Sequence, residues 1–137
     1  MNNYKHSDIT EKIIKAYYNV YNKLGFGFLE KVYENSMMIE LTKYGLNCTK
    51  QFPIKVIYDG EQVGEYFTDI LAENSVIIEL KAAEILHPDH EAQLVNYLKA
   101  TEIEVGILLN YGTKPEFKRK NFSKEFKKQF SVDLKQS

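Results

Sequence analysis

Asp69, Glu79 and Lys81 are the residues of this 137-residue chain whose types and spacing are best suited to chemistry. They lie in Tyr66-Phe67-Thr68-Asp69-Ile70-Leu71, then Ala72-Glu73-Asn74-Ser75, then Val76-Ile77-Ile78-Glu79-Leu80-Lys81. Apolar, β-branched flanks around a polar middle predict two strands and a tight turn. With Glu73, Asn74 and Ser75 as the loop, Ala72 pairs with Val76 and Asp69 falls opposite Glu79. Strand alternation then gathers Asp69, Glu79 and Lys81 on one face. Two carboxylates side by side repel unless they share a cation or a proton. Hard oxygen donors suit Mg²⁺ or Mn²⁺, and such a metal lowers the pKa of bound water and so supplies a nucleophile. A Glu-x-Lys pair alone is ordinarily a solvated strand end. This pair ends a strongly apolar strand in register with a second carboxylate, which gives a functional reading equal standing with that one.

The elements that must position these residues follow from periodicity. Asp8 with Glu11 resembles a capping box opening a first helix, with Ile13, Ile14, Tyr17, Val20, Tyr21 and Leu24 at helical spacing and Gly25 able to end it. Gly25-Phe26-Gly27 leads to a second helix over about Leu29 to Tyr44, whose stripe is Val32, Tyr33, Met37, Leu41 and Tyr44. The period then becomes two. Phe52, Ile54, Val56 and Tyr58 predict a strand, Pro53 places its start at a sheet edge, and Asp59-Gly60 is a hairpin turn. The second strand spans about Glu61 to Leu71 and the third about Ser75 to Lys81. A third helix opens near His87-Pro88-Asp89, with proline at an early helical position, and reaches about Ala100. Val105 to Asn110 is a fourth, apolar and central strand, parallel to the third through a right-handed crossover. The expected fold is α/β, an α-β-β-β-α-β core with a mixed four-stranded sheet flanked by helices. An extra N-terminal helix and a C-terminal extension complete it, all within one domain over residues 1–137. Phe117, Phe122, Phe126 and Phe130 are expected to pin that extension to the core.

Composition narrows the function classes. The length suits one domain with a real hydrophobic core. No run of about 18 apolar residues is present, which excludes a transmembrane helix, and the first residues lack a signal peptide's apolar stretch. A cytoplasmic location is expected. The single cysteine, Cys48, excludes an internal disulfide framework and a multi-cysteine metal site; it reads as a packed thiol. The formal net charge is −1, so no global basic field announces nucleic acid. Lys114, Lys118, Arg119, Lys120, Lys124, Lys127 and Lys128 nevertheless crowd the C-terminal region. They read either as a phosphate-facing surface or as a solvated helix face.

Other side chains point toward the carboxylates. Glu30, in the opening turn of the second helix, borders the buried stripe. It reads either as a third oxygen ligand or as charge complementing a helix N-terminus. His90, Gln93 and Tyr97 recur at i, i+3 and i+7 along the margin of the third helix's core stripe. Taken in order, Asp69, Glu79-Leu80-Lys81 and Gln93-Leu94-Val95-Asn96-Tyr97 resemble the PD-(D/E)XK nuclease superfamily, the last of these its RecB-like branch. Gly27-Phe28-Leu29-Glu30-Lys31-Val32-Tyr33 resembles the signature of the small bacterial GxxExxY proteins within it. The resemblance covers most of the chain; Thr68 stands where a proline often precedes the aspartate.

That resemblance implies a metal-dependent nuclease, most of all one that hydrolyses DNA. It implies Glu30, Asp69, Glu79 and the Leu80 carbonyl as ligands of Mg²⁺ or Mn²⁺, and Lys81 assisting the attacking water. Gln93 and Tyr97, joined by His90, would hold the nucleic-acid backbone or order the site, with Lys118, Arg119 and Lys120 as further substrate contacts. The alternative is a catalytically silent nuclease fold that binds nucleic acid or protein. Aromatic residues near both termini would suit a homodimer, and a packed monomer explains them equally well.

Overall fold

The structure, a computed structural model, describes residues 5–129. In chain order the elements are α1 (Ser7–Leu24), α2 (Glu30–Lys43), β1 (Cys48–Tyr58), β2 (Glu61–Ala72), β3 (Val76–Lys81), α3 (Pro88–Lys99), β4 (Val105–Tyr111), β5 (Pro115–Asn121) and α4 (Lys124–Gln129). The strands form one mixed sheet in the order β1-β2-β3-β4-β5. β1, β2 and β3 run antiparallel in succession, β3 and β4 are parallel, and β5 is antiparallel to β4.

The α/β core expected from the sequence is present, with one strand more than expected. Residues assigned to a C-terminal extension form β5, pairing from Val105–Asn121 to Tyr111–Pro115. Lysine and arginine give this segment little strand propensity, but charged side chains are how proteins protect a sheet edge from further pairing. A second difference lies at the start of α1. Its N-cap is His6, with φ 56° and no side-chain cap, so the Asp8–Glu11 capping box does not form. Asp8 sits inside the first turn instead, where its charge complements the helix dipole.

Apolar residues sort to the two faces of the sheet. Ile13, Tyr17, Val20, Tyr33, Met37 and Leu41 of α1 and α2 pack with Ile70, Ile78, Leu80, Ile107 and Leu109. On the other face Leu94, Tyr97 and Leu98 of α3 pack with Leu71, Ile77 and Leu108. β4 is buried along its whole length, as its apolar run requires. Val32, placed in the α2 stripe, is 37% exposed, whereas Glu34 and Glu40 of α2 are buried. Pro53 lies within β1, on the sheet edge where its missing N–H costs no ladder bond. Asp59 and Gly60 both have positive φ, as a two-residue hairpin turn needs.

Among the described residues no helix is long and apolar enough to cross a membrane. Phe122 is buried and Phe117 packs partly against the core. Phe130 and the side chains of Phe126 and Lys128 lie outside the described residues. Cys48 is half-buried, and burial pushes its thiol up to about 11.

Candidate metal-dependent active site

The candidate site lies where β2 and β3 part. Their ladder runs Ala72–Val76, Leu71–Ile77, Ile70–Ile78 and stops, so Asp69 and Glu79 occupy the next position along, at the mouth of a split. The turn matches the expected loop, with Glu73 and Asn74 at positive φ. Beyond it β3 continues on β4 alone, up to Lys81 opposite Asn110. The Leu80 N–H, left without a β2 carbonyl, donates to Asp69 Oδ2 at 2.7 Å. A strand residue's N–H and C=O point to the same edge, so the Leu80 carbonyl opens toward the same split.

Glu79 is 6% exposed, and its Oε1 accepts from Thr68 Oγ1 at 2.8 Å. Burial, then the Asp69 charge, pushes its carboxyl up to about 9; the Thr68 hydroxyl and Lys81 offset this only in part. The pair therefore holds a proton at neutral pH when no cation is present. Lys81 is half-buried beside it, and among the described residues its ammonium has no ion-pair partner.

Glu30 reaches the site through the turn before α2. Gly25 and Gly27 adopt φ of 67° and 109°, conformations that glycine reaches without penalty. The buried Tyr33 hydroxyl ties the turn down. It donates to Gly25 O at 2.7 Å and accepts from Phe28 N at 3.2 Å. Glu30 thus begins α2 at a cavity of about 190 Å³ that Glu34, Gln51, Asp69 and Leu80 also line. Glu30 itself is exposed.

Among the described residues no three His, Cys, Asp or Glu side chains converge as one metal-binding group. Glu30, Asp69 and Glu79 are therefore not assembled as a carboxylate triad. Asp69 couples to Glu79, while Glu30 shares the cavity with Asp69 and Leu80. The donor set still fits a hard divalent cation. A raised carboxyl beside a second carboxylate is relieved by a positive charge, and Mg²⁺ is commonly held by one or two carboxylates with waters completing its shell. A larger cavity of about 1020 Å³, lined among others by Lys5, Phe52, Lys55 and Ile103, contains none of the expected site residues. The smaller one is set apart by Asp69 and Leu80 and by three carboxylates against one lysine.

The α3 residues divide. Gln93 Nε2 donates to the Tyr97 hydroxyl at 2.8 Å. Tyr97 is 6% exposed, packs on Tyr66 with ring centroids 5.8 Å apart, and is pushed up to about 12 by burial and then by the Glu79 charge. Its surroundings make it a wall of the site. His90 is committed locally: its Nδ1 accepts from His87 N at 3.3 Å, part of the cap that opens α3. Burial first, then Lys81, lowers the His90 pKa, so the ring is neutral with Nε2–H left to donate.

The basic trio on β5 is split by strand alternation. Lys118 and Lys120 turn toward α3, where Lys120 Nζ meets Glu91 Oε1 at 2.8 Å. Arg119 turns the other way, donating to Lys5 O and to Asn121 Oδ1. The three do not form one phosphate-facing patch. Lys127, also counted in the basic surface, is buried, and its Nζ donates to Thr101 O at 2.6 Å and Ile103 O at 2.5 Å.

Four contributors escaped the sequence reading. Thr68 bonds Glu79. Asn110 binds both backbone groups of Ala83, at 3.0 and 2.9 Å, and fixes the chain just past Lys81. Glu34 and Gln51 line the cavity. Only Thr68 had a visible signal, its place beside Asp69 in an apolar strand.

A family model described as the PD-(D/E)XK nuclease superfamily matches residues 7–120. No curated protein and no solved structure matches the chain.

Proposed function

The chain belongs to the PD-(D/E)XK nuclease superfamily, and from that premise we propose that it is a metal-dependent nuclease hydrolysing phosphodiester bonds, those of DNA foremost. Within the superfamily we place it with the GxxExxY proteins of the RecB-like branch, on Gly27, Glu30, Tyr33, Gln93 and Tyr97. One observation carries the reading. Glu79 lies buried beside Asp69 with its carboxyl bonded to Thr68, where burial and the Asp69 charge raise it well above the usual carboxylate range, and a lysine stands beside it. A purely structural site gains little from such clustered charge, because burying it costs free energy that apolar packing would not.

Asp69, Glu79 and the Leu80 carbonyl would hold Mg²⁺ or Mn²⁺, with Glu30 acting from the cavity rim. When bound, the cation lowers the pKa of a water and neutralises charge developing on the phosphate. Lys81 would orient the attacking water against phosphorus. The water oxygen forms the new P–O bond as the bond to the leaving sugar oxygen breaks; the water gives up a proton to solvent and the leaving oxygen takes one from solvent. The neutral His90 offers Nε2–H to a non-bridging phosphate oxygen, and the Gln93–Tyr97 pair keeps the wall in place. Lys118 and Lys120 give a small basic border on the α3 side.

The test compares wild type with Asp69→Asn on single- and double-stranded DNA and RNA, each with EDTA, Mg²⁺ or Mn²⁺. Cleavage that needs metal and vanishes in the variant establishes the activity and its preferred polymer. Binding without cleavage under every condition would replace the nuclease reading with that of a nucleic-acid-binding module.

A further inference from the structure

Gln51 is a non-glycine residue with φ 52° inside a strand. It belongs to no turn, and such a conformation is disfavoured for a residue with a Cβ unless its surroundings hold it. The β1–β2 ladder passes from Lys50–Ile70 to Phe52–Thr68 in unchanged register and skips one position on each side. The residue across from Gln51 in that gap is Asp69. On its other side Asp69 also lacks a ladder partner, because β2 and β3 part beyond Ile70–Ile78. Asp69 thus stands outside the regular ladder on both sides, at the position where its side chain takes the Leu80 N–H.

What holds Gln51 is Glu34. Gln51 Nε2 donates to Glu34 Oε1 at 2.6 Å, a charge-assisted contact. Glu34 is 4% exposed. Its other oxygen meets Lys31 Nζ at 3.0 Å and Lys50 Nζ at 3.6 Å. It lies one helical turn past Glu30, on the same face of α2, and both line the cavity with Gln51 and Asp69. A contact between Glu34 and Gln51 therefore ties the helix carrying Glu30 to the strand position facing Asp69.

We propose that Gln51 and Glu34 form a clamp that aims the Asp69 carboxylate, making Gln51 a positioning residue for the site. Its consequence for catalysis rests on the nuclease reading; its geometry does not. The clamp explains why a disfavoured backbone is kept in the middle of a strand: relaxing it would restore the ladder and draw Asp69 back into regular pairing.

The test uses metal-free protein and amide hydrogen exchange at Leu80, whose N–H is held by Asp69. Gln51→Gly accepts positive φ freely but has no side chain to bond Glu34. Gln51→Glu sets a carboxylate against Glu34, and the swap Glu34→Gln with Gln51→Glu restores an amide–carboxylate pair. Exchange at Leu80 should speed up by about tenfold or more in both single variants, with Ile107 in the core unchanged. In the swap it should return to within about threefold of wild type. Unchanged exchange at Leu80 in Gln51→Gly, or faster exchange at Leu80 and Ile107 together, would overturn the clamp. Where wild type cuts, Gln51→Gly should lower kcat with KM for nucleic acid unchanged, and the swap should recover it; an unaltered kcat also overturns the positioning role. A wild type that cuts nothing while Leu80 responds as stated retires the nuclease reading and keeps the clamp.

Discussion

Glu79→Gln in metal-free protein should stabilise the fold at neutral pH, by an amount that grows with pH. In the folded chain burial, and then Asp69, hold the Glu79 carboxyl at about 9, against 4.5 for a free glutamate. Below pH 4.5 it is protonated whether the chain is folded or not, and it contributes nothing to pH dependence. Between pH 4.5 and about 9 the unfolded chain has released this proton and the folded chain keeps it. The folded state then binds more protons, so stability falls as pH rises. The slope is about 1.4 kcal/mol per pH unit, which accumulates to about 3 kcal/mol by pH 7. Glutamine has nothing to titrate, its carbonyl can still accept from Thr68, and its amide can donate to Asp69.

The assay is chemical denaturation of both proteins with EDTA at several pH values from 5 to 9. Titrating groups away from the site cancel in the difference, so the gap reports the Glu79–Asp69 pair. It should widen steadily in favour of the variant. A gap that stays level across this range would mean that Glu79 is ionised throughout, and the coupled-pair argument on which the proposed metal chemistry stands would fall with it. Asp69→Asn should lower the Glu79 pKa without returning it to the ordinary range, because burial, the larger cause, remains.

Three other outcomes follow from the same geometry. Cation binding must displace the proton held by Glu79, so Mn²⁺ affinity measured by calorimetry should rise about tenfold per unit between pH 6 and 8; affinity independent of pH would separate the cation from this pair. Lys81→Met should cut cleavage by about a hundredfold or more without weakening Mn²⁺ binding, since the lost group is itself a cation; weakened binding would assign Lys81 to the fold and not to the water. Gly106→Ala would set a Cβ 2.6 Å from Leu94 Cδ1 and push α3 off β4, costing about 1–3 kcal/mol in urea denaturation; no change in stability would mean that Leu94 yields freely.

The difference between what could and could not be read from the sequence has a physical origin. Periodicity and apolar runs report burial, so the elements that bury one face or both were legible: α1, α2, α3, the β1–β2 hairpin and the apolar β3 and β4 all stand within a few residues of their expected bounds. The position of Asp69 across from Glu79 was legible too, because a short loop fixes register. β5 was not, because an edge strand made of Lys118, Arg119 and Lys120 has the composition of a solvated helix. Composition also could not say where each cation goes. Lys127 is drawn inward by the carbonyls of Thr101 and Ile103, and alternation sends Arg119 away from Lys118 and Lys120. Gln51 and Glu34 show the deeper limit. Nothing about a glutamine inside a strand, or a glutamate one turn into a helix, marks either as unusual. They become so only when long-range folding brings Glu34 to Gln51 across 17 positions of chain and the strand skips a ladder position across from Asp69. A pattern read along one dimension identifies the groups that can do chemistry; the groups that aim them are selected by three-dimensional contact and by strain, neither of which has a period.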